Sequence, residues 1–268
     1  MQNPPLVTIV IANHNYGKYI QDAIVSALSQ SYPNINLIIV DDCSTDNSWA
    51  VIHNCVFKKY NHSKESIDIY DKKECSIKRE NMDTKITAFR IKQCVGPSEA
   101  RNLAITYAMN SNIPPDYIAV LDADDIYYND KVIELVNVAI HSENIGVVYG
   151  DYDIYDVDND TTVREYKEPF SIKKLHKECI VHSGALVSTK ALMSTKESTG
   201  FYDANLRCAE DYDLWLRISE KYVIVHVPKS LSLVRTHSNN STNSVRQEIW
   251  QACWNRVSEK FRERNGVG

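Results

Sequence analysis

The sequence has 268 residues, with 30 lysines and arginines against 35 aspartates and glutamates, and a formal net charge of −5 at pH 7. At about 150 residues per domain, this length predicts one large domain or two small ones, with enough chain to bury a core without crosslinks. The slightly acidic balance argues against a dedicated nucleic-acid binder, which needs a basic surface to neutralise phosphates.

Cysteine spacing and hydropathy predict the cellular compartment of the protein. The 7 cysteines are scattered, and none has the C-x-x-C spacing of a zinc or redox site, which favours free thiols in a reducing compartment. The longest apolar runs, such as 6–12 and 35–40, fall far short of the roughly 18 residues of a membrane span. The N-terminus lacks a basic segment followed by a long apolar one. We therefore expect a cytoplasmic protein, soluble or peripherally membrane-associated.

Short β-branched runs alternate with helical stretches in the first half of the chain. In chain order, the pattern predicts a strand over 6–12, a helix over 18–29, a strand over 34–40, a helix over 46–57, a strand over 86–91, a helix over 97–109 beginning at Pro97, and a strand over 117–121. This alternation predicts an α/β fold with a mostly parallel central sheet flanked by helices. Such sheets bind ligands beyond the carboxyl ends of their strands.

The remaining segments are less regular. Residues 58–85 are polar and longer than a usual connection, which predicts a surface insertion. In the second half, strands are expected over 163–166, 182–188, 222–227 and 230–235, with a helix beginning near Glu210 and a C-terminal helix beginning near Thr242.

The C-terminal helix is predicted to be amphipathic. Its apolar residues recur at i+4 and are joined by two tryptophans: Val245, Ile249, Trp250, Cys253, Trp254, Val257 and Phe261. We expect this face to pack on the helix's own domain. A homodimer contact is the second alternative, and docking on an anionic membrane through the helix's basic residues is the third, weakened by glutamates that interrupt the basic face.

Acidic clusters follow two of the predicted strands, and a third cluster opens a later helix. They are Asp41-Asp42, Asp122-Ala-Asp124-Asp125 and Glu210-Asp211. Acidic residues at strand ends are commonly turn formers and caps. Two clusters at neighbouring strand ends, however, bring together carboxylates that repel each other unless a cation or proton relieves them, which favours a hard divalent metal ion.

Several short motifs, in order and at matching spacing, carry a family resemblance over nearly the whole chain. They are VTIVIANHNY (7–16), SALSQSYP (26–33), IIVDDCSTD (38–46), GPSEARNLA (96–104), LDADD (121–125), GFYD (200–203), EDYDLW (210–215) and VRTH (234–237). The sequence resembles glycosyltransferase family 2, inverting nucleotide-sugar enzymes of the GT-A fold. The resemblance implies a nucleotide-binding half over 1–125, an acceptor-binding half over 126–241 and a C-terminal helix over 242–268.

The resemblance also implies roles for residues of the donor side. Asp42 matches the uracil-binding carboxylate, with Ala12 and Asn15 lining the same nucleotide pocket. Arg101 matches an arginine directed at the diphosphate, the alternative being a salt bridge to Glu99 or Asp125. Asp122, Asp124 and His237 match ligands of a manganese or magnesium ion. Asp122 is also assigned to nucleotide binding. A structural role is equally compatible with His237. Asp125 is expected to cap the following helix.

On the acceptor side, Asp211 matches the catalytic base that deprotonates the attacking hydroxyl. The alternative is that Glu210 and Asp211 only begin a helix, where its dipole favours acids. Glu210, His182 and Trp215 are expected on the acceptor side, although an aromatic at the spacing of Trp215 is more often part of a core.

The implied activity is transfer of a sugar from a nucleotide-sugar, in particular a UDP-sugar, to a hydroxyl of a glycan or glycoconjugate. Two other activities stay open at the level of sequence. One is a sugar-1-phosphate nucleotidyltransferase, which is disfavoured because no Gly-rich basic loop follows the first strand. The other is a relative that binds nucleotide-sugars without catalysis. An NAD-binding fold is disfavoured because G-x-G-x-x-G is lacking there.

Overall fold

The computed structural model describes residues 3–58, 63–66, 70–79, 82–238, 240 and 245–266. Its strands are β1 (Val7–Asn13), β2 (Ile35–Asp42), β3 (Ser63–Ser66), β4 (Tyr70–Arg79), β5 (Met82–Ile91), β6 (Tyr117–Asp122), β7 (Ile126–Tyr127), β8 (Ile145–Asp156), β9 (Thr161–Glu165), β10 (Leu186–Ser188) and β11 (Val223–Thr236). Its helices are α1 (Ile20–Leu28), α2 (Ser48–Ile52, continued by a π-helical turn His53–Phe57), α3 (Pro97–Met109), α4 (Lys131–Ala139), α5 (Ile172–Leu175), α6 (Thr189–Thr195), α7 (Glu210–Ser219) and α8 (Gln247–Asn265).

One mixed sheet runs through the described part of the chain in the order β3-β4-β5-β2-β1-β6-β10-β8-β11-β7, with β9 paired to β8. The predicted parallel arrangement is confirmed in its centre, where β5, β2, β1 and β6 are parallel. Outside this block most pairs are antiparallel, and β8 with β11 is the parallel exception. The parallel part of the sheet is therefore chiefly its centre, where β-α-β crossovers connect the strands.

Helices cover both faces of the sheet, as expected. Along β1, Ile9 and Ile11 pack under α1 and α4, whereas Val10 on the other face packs under α3 and α7. This alternation follows from the two-residue period of a strand. It explains why the run 6–12 is apolar throughout, since a central strand is buried on both sides.

Within the segment 58–85, predicted as a surface insertion, the described residues include β3, β4 and the start of β5, which extend the edge of the sheet with antiparallel strands. Two predictions about strands need correction. The two strands expected over 222–227 and 230–235 are one bulged strand, β11, whose register with β8 shifts between Val227 and Ser230. The strand expected over 182–188 begins only at Leu186. The strand β8, which was not predicted, extends from Ile145 to Asp156.

The C-terminal helix packs on its own domain. Cys253 and Val257 of α8 lie in the core beside α7, and the charged side of α8 is anchored there by Lys260, which forms ion pairs with Glu197, Asp203 and Asp213 at 2.7–3.1 Å. Since Arg256 and Arg264 also pair with acidic residues, much of the basic charge considered for membrane docking is neutralised within the protein. Among the described residues, no helix is long and apolar enough to cross a membrane.

Candidate active site

The carboxyl ends of three parallel strands form one edge of the sheet. In register, Ala12 of β1 lies beside Asp122 of β6, and Asn13 of β1 lies beside Asp41 of β2. A cavity of about 840 Å³ opens beyond this edge. It is bordered by most of the predicted site residues: Ala12, Asn15, Asp42, Arg101, Asp122, Asp124, His182, Glu210 and Asp211.

Asp42 is fixed at one end of the cavity by backbone donors. Its two carboxylate oxygens accept hydrogen bonds from the amides of Val95 and Gly96, both at 2.8 Å. Gly96 has φ +89°, a conformation that strains other residues, and α3 begins immediately after it. Each carboxylate oxygen can accept a further hydrogen bond, so Asp42 keeps acceptor capacity towards the cavity.

A disulfide ties the two segments that hold this carboxylate. Cys43, directly after Asp42, is bonded to Cys94, directly before Val95, with their Cα atoms 5.2 Å apart. The expectation of free thiols is wrong for this pair. No local sequence pattern predicts this bond, because the two cysteines are 51 residues apart in the sequence.

Asn15 shapes the loop after β1. It has φ +60°, and its side-chain oxygen accepts a hydrogen bond from the amide of Thr45 at 2.8 Å. His14 contacts the carbonyl of Asp42 through Nδ1 at 2.6 Å. These contacts join the loops after β1 and β2 into one wall of the cavity.

Arg101 joins the two halves of the site. Its two terminal nitrogens donate to Asp122 at 2.8 Å and to Glu210 at 2.5 Å. These partners differ from the pair considered at the sequence level, Glu99 and Asp125. A guanidinium has five N–H donors, so each terminal nitrogen keeps one N–H for another acceptor. Beside this cation the pKa of Asp122 is lowered, although burial alone would raise it.

The acidic cluster after β6 meets the end of β11. Asp124 Oδ2 lies 3.2 Å from His237 Nε2 and accepts a hydrogen bond from Asn240 at 2.9 Å. Burial and the nearby charge of Asp122 raise the pKa of Asp124. The ring of His237 also stacks on Tyr19 with centroids 4.8 Å apart. His237 is thus held against Asp124, beside the cavity.

Asp125 does not cap the following helix. That helix, α4, begins only at Lys131, and the Asp125 carboxylate instead accepts a hydrogen bond from the amide of Arg235 at 3.0 Å. Burial, together with Asp124 and Asp122, raises its pKa well above the usual value. Asp125 therefore connects the acidic loop to β11.

The chemistry of this cluster fits a divalent cation. Several carboxylates are buried within a few residues, and burial and mutual repulsion raise the pKa of two of them. Asp124 Oδ2 contacts His237 and Asn240, and each carboxylate oxygen has lone pairs for more than one partner, so Asp124 can also bind a cation. Asp122, Asp124 and His237 together offer the oxygen and nitrogen donors that manganese or magnesium sites use.

Asp211 stands at the first turn of α7. The preceding Ala209 adopts a left-handed conformation, φ +59°, that turns the chain into the helix, and Asp211 Oδ1 accepts the amide of Tyr212 at 2.8 Å. Burial, followed by the charge of Glu210, raises the pKa of Asp211 to about 7. A carboxylate with this pKa can both take up and release a proton near neutral pH.

Two residues expected on the acceptor side have different surroundings. His182 borders the cavity, packs on the ring of Tyr152 and has its pKa lowered to about 3, by burial and then by Lys131. It is therefore a neutral ring. Trp215 of α7 is 0% exposed and its side chain lies in the core, so the expectation that it faces an acceptor is wrong. Four residues after Asp211 on the helix, it points into the protein.

Sequence reasoning missed several residues that border the cavity. They come from β8, from loops and from the C-terminal segment at the start of α8: Tyr152, Lys167, Cys179, Arg207, Asn240, Val245 and Trp250. Arg207 lies just before the Glu210-Asp211 motif, which is the one local signal that could have identified it. The others reach the cavity only through the folding of distant segments.

Solved structures with the same fold are glycosyltransferases of the GT-A class. A mannosyltransferase from Pyrobaculum calidifontis, in complex with GDP-Man and Mn²⁺, aligns with a TM-score of 0.63 over 100% of this chain and 66% of that one, at 14% identity. Residues 1–349 of S. aureus TarS, in complex with UDP-GlcNAc, align with a TM-score of 0.62 over 92% of this chain and 64% of that one, at 15% identity. The chain spans 39% of the longer TarS structure.

The family follows from sequence. Residues 8–196 match the family model of glycosyl transferase family 2, and the chain belongs to this family. Among its relatives, an uncharacterized glycosyltransferase of Rickettsia typhi is 28% identical over 96% of this chain and 73% of its own length. The Escherichia coli enzyme WfaP, a UDP-Glc:α-D-GlcNAc-diphosphoundecaprenol β-1,3-glucosyltransferase, is 28% identical over 90% of this chain and 79% of its own. The protein is therefore a glycosyltransferase, as predicted.

Proposed function

We propose that this glycosyltransferase moves a sugar from a UDP-sugar to a hydroxyl of a glycoconjugate, with inversion at the anomeric carbon and with a bound Mn²⁺ or Mg²⁺. The observation that carries the proposal is that Asp42, Asp122, Asp124 and Asp211 all border the same cavity. One cavity thus contains Asp42 for the nucleobase, an acidic cluster that fits a cation, and Asp211, whose pKa is about 7.

On the donor side, Asp42 recognises the nucleoside. Its carboxylate, held by two backbone amides, accepts the ring N–H of uracil, and a base without a donor there is rejected. The remaining N–H groups of Arg101 face the leaving diphosphate, whose oxygens suit the guanidinium fork. The relative WfaP, whose name specifies UDP-Glc as donor, supports a UDP-sugar.

On the acceptor side, Asp211 takes the proton of the attacking hydroxyl. The hydroxyl oxygen forms a bond to the anomeric carbon, and the bond from that carbon to the diphosphate oxygen breaks on the opposite face. Asp122, Asp124 and His237 would hold the divalent cation, which when bound neutralises charge on the diphosphate. Glu210, paired with Arg101, keeps the helix start of Asp211 next to the donor side.

The test is product analysis with a panel of nucleotide-sugars and manganese. Release of nucleoside diphosphate, lost on exhaustive chelation and in Asp124→Ala, is the expected result. Release of pyrophosphate from a sugar 1-phosphate and a nucleoside triphosphate would instead identify a nucleotidyltransferase. Metal-dependent nucleotide binding without turnover on any acceptor would identify a non-catalytic relative. Activity undiminished by chelation would contradict the proposed metal dependence.

A further inference from the structure

The wall of the cavity beside Asp211 contains residues without an assigned role. It is formed by the loop before α7 and by the start of the C-terminal helix, and Arg207, Cys208, Val245 and Trp250 border the cavity there. The helix lies outside residues 8–196, the part of the chain that matches the family model.

The C-terminal helix packs against α7, the helix that carries Asp211. The ring of Trp254 packs on Tyr212, the neighbour of Asp211, with centroids 4.5 Å apart. Cys208 Sγ lies 4.0 Å from the carbonyl of Ile249. Trp250 is one turn before Trp254 and follows Ile249 directly, so it lies alongside the loop that leads to Asp211.

Trp250 offers a free aromatic face. It is partly buried against the core, and among the described residues its ring forms no aromatic stacking or cation–π contact. The other tryptophan of α8, Trp254, is used for packing on Tyr212. An aromatic ring that borders a cavity offers a large apolar face, and the C–H face of a sugar ring can pack on such a surface.

Arg207 is an exposed cation at the edge of the cavity. Within the described ranges, its guanidinium has no ion pair. By contrast, Arg101, Arg217 and Arg235 each pair with carboxylates at 2.5–2.9 Å. Its neighbour Cys208 contacts Ile249, the neighbour of Trp250, so the two segments that carry Arg207 and Trp250 adjoin, and both residues border the cavity.

We infer that Trp250 and Arg207 form an acceptor subsite for a phosphorylated sugar, in which the pyranose ring stacks on Trp250 and its phosphate binds Arg207. The subsite presents a ring hydroxyl to Asp211. This inference rests on the proposed function, because it takes Asp211 as the base. It adds the acceptor's chemical class, a glycosyl phosphate, and it assigns the residues that recognise it.

The test is binding of simple probes to the full chain saturated with UDP and Mn²⁺. Calorimetry compares glucose, galactose and N-acetylglucosamine 1-phosphates with the corresponding neutral methyl glycosides. Trp250→Leu keeps an apolar side chain, Trp250→Phe keeps a ring, and Arg262→Gln, at the exposed far end of α8, is the matched control for Arg207→Gln. Circular dichroism and UDP affinity verify that each variant is folded.

At least one glycosyl phosphate is expected to bind the wild type. Trp250→Leu should weaken both the phosphate and the methyl glycoside by about tenfold, with Trp250→Phe largely restoring binding. Arg207→Gln should weaken only the phosphate, also by about tenfold, and Arg262→Gln should change neither. UDP affinity should remain at the wild-type value throughout.

Several results would overturn the subsite. They are the failure of every glycosyl phosphate to bind, equal binding by Trp250→Leu, or a loss of UDP affinity in Arg207→Gln, which would assign this arginine to the donor. These results are distinct from failure of the proposed function. If nucleotide-sugars still release nucleoside diphosphate while the variants behave as wild type, only the subsite is refuted.

Discussion

At the residue scale, the environment of Asp211 determines its chemistry. A carboxylate at a helix start is ordinarily stabilised in its ionised form. Here burial and the adjacent Glu210 outweigh the Tyr212 amide and the charge of Arg101, so the pKa rises to about 7. The same residue type at Asp122, beside Arg101, has a lowered pKa. Two carboxylates of one cavity are thus suited to different tasks.

Asp211→Asn is expected to lower the rate of sugar transfer by about 10²–10⁴-fold, because an amide cannot accept the proton of the attacking hydroxyl. Nucleotide binding should persist, since Asp42 and the acidic cluster are unchanged. Initial rates of nucleoside diphosphate release measure the loss, and Glu259→Gln, on the exposed side of α8, serves as control. Full activity of Asp211→Asn would rule out this base.

The activity should also depend on pH through Asp211. A base works in its deprotonated form, so kcat/KM should fall below pH of about 7 and level off above it. Glu210→Gln removes a negative charge that raises the pKa of Asp211. It also removes the ion-pair partner of Arg101, whose positive charge lowers the pKa of Asp211. The acid limb of the pH profile should therefore move to lower pH. A limb that stays in place or moves upward in this variant would contradict the assignment.

At the scale of elements, a buried ionic cluster fastens α8 to α7. The ammonium of Lys260 lies 2.8 Å from Glu197, 2.7 Å from Asp203 and 3.1 Å from Asp213. Arg217 supports the cluster through Asp213 at 2.9 Å. Since α7 begins with Glu210 and Asp211, this cluster also fixes the position of the base.

Replacing the central cation should destabilise the protein strongly. Lys260→Met leaves three carboxylates without their shared partner, and removing one member of a buried ion pair typically costs about 3–5 kcal/mol. Urea unfolding measures the change, and the matched Arg262→Met, on the exposed side of the same helix, should stay within about 0.5 kcal/mol of wild type. A loss below about 1 kcal/mol in Lys260→Met would mean that the cluster contributes little.

At the scale of the whole molecule, one cavity joins the two halves of the chain. Arg101 of α3 contacts both Asp122 at the end of β6 and Glu210 at the start of α7. Asp124 contacts His237, which lies just beyond β11. A ligand that fills this cavity would contact both halves only in the folded state, and would therefore stabilise the fold.

UDP with Mn²⁺ is accordingly expected to raise the melting temperature. A ligand at 100 times its Kd contributes about 2.7 kcal/mol, which for a chain of this size corresponds to about 5–10 °C. Thermal shift with UDP in manganese or in a chelator measures the difference, and Asp124→Asn should reduce the manganese-dependent part. An equal shift with and without metal would contradict a cation at the acidic cluster.

The sequence by itself determined the central elements and the acidic residues at their ends. The apolar runs of β1 and β2, the periodicity of α1 and Pro97 at the start of α3 are local signals, and local signals predict local structure. Because the ends of parallel strands meet at one edge, Asp42 and Asp122 could be assigned to the same cavity before any contact was known. The order and spacing of the motifs then identified the family.

Only the tertiary structure decided which distant groups meet. Arg101 and Glu210 are 109 residues apart, and the pairing of Cys43 with Cys94 and the contact of Asp125 with β11 depend on the same long-range geometry. Trp215 and Trp250 are both tryptophans within predicted helices, yet Trp215 is buried in the core and Trp250 borders the cavity. A side chain's type sets what it can bind, but its partners depend on how helices and strands cross, which no local pattern specifies.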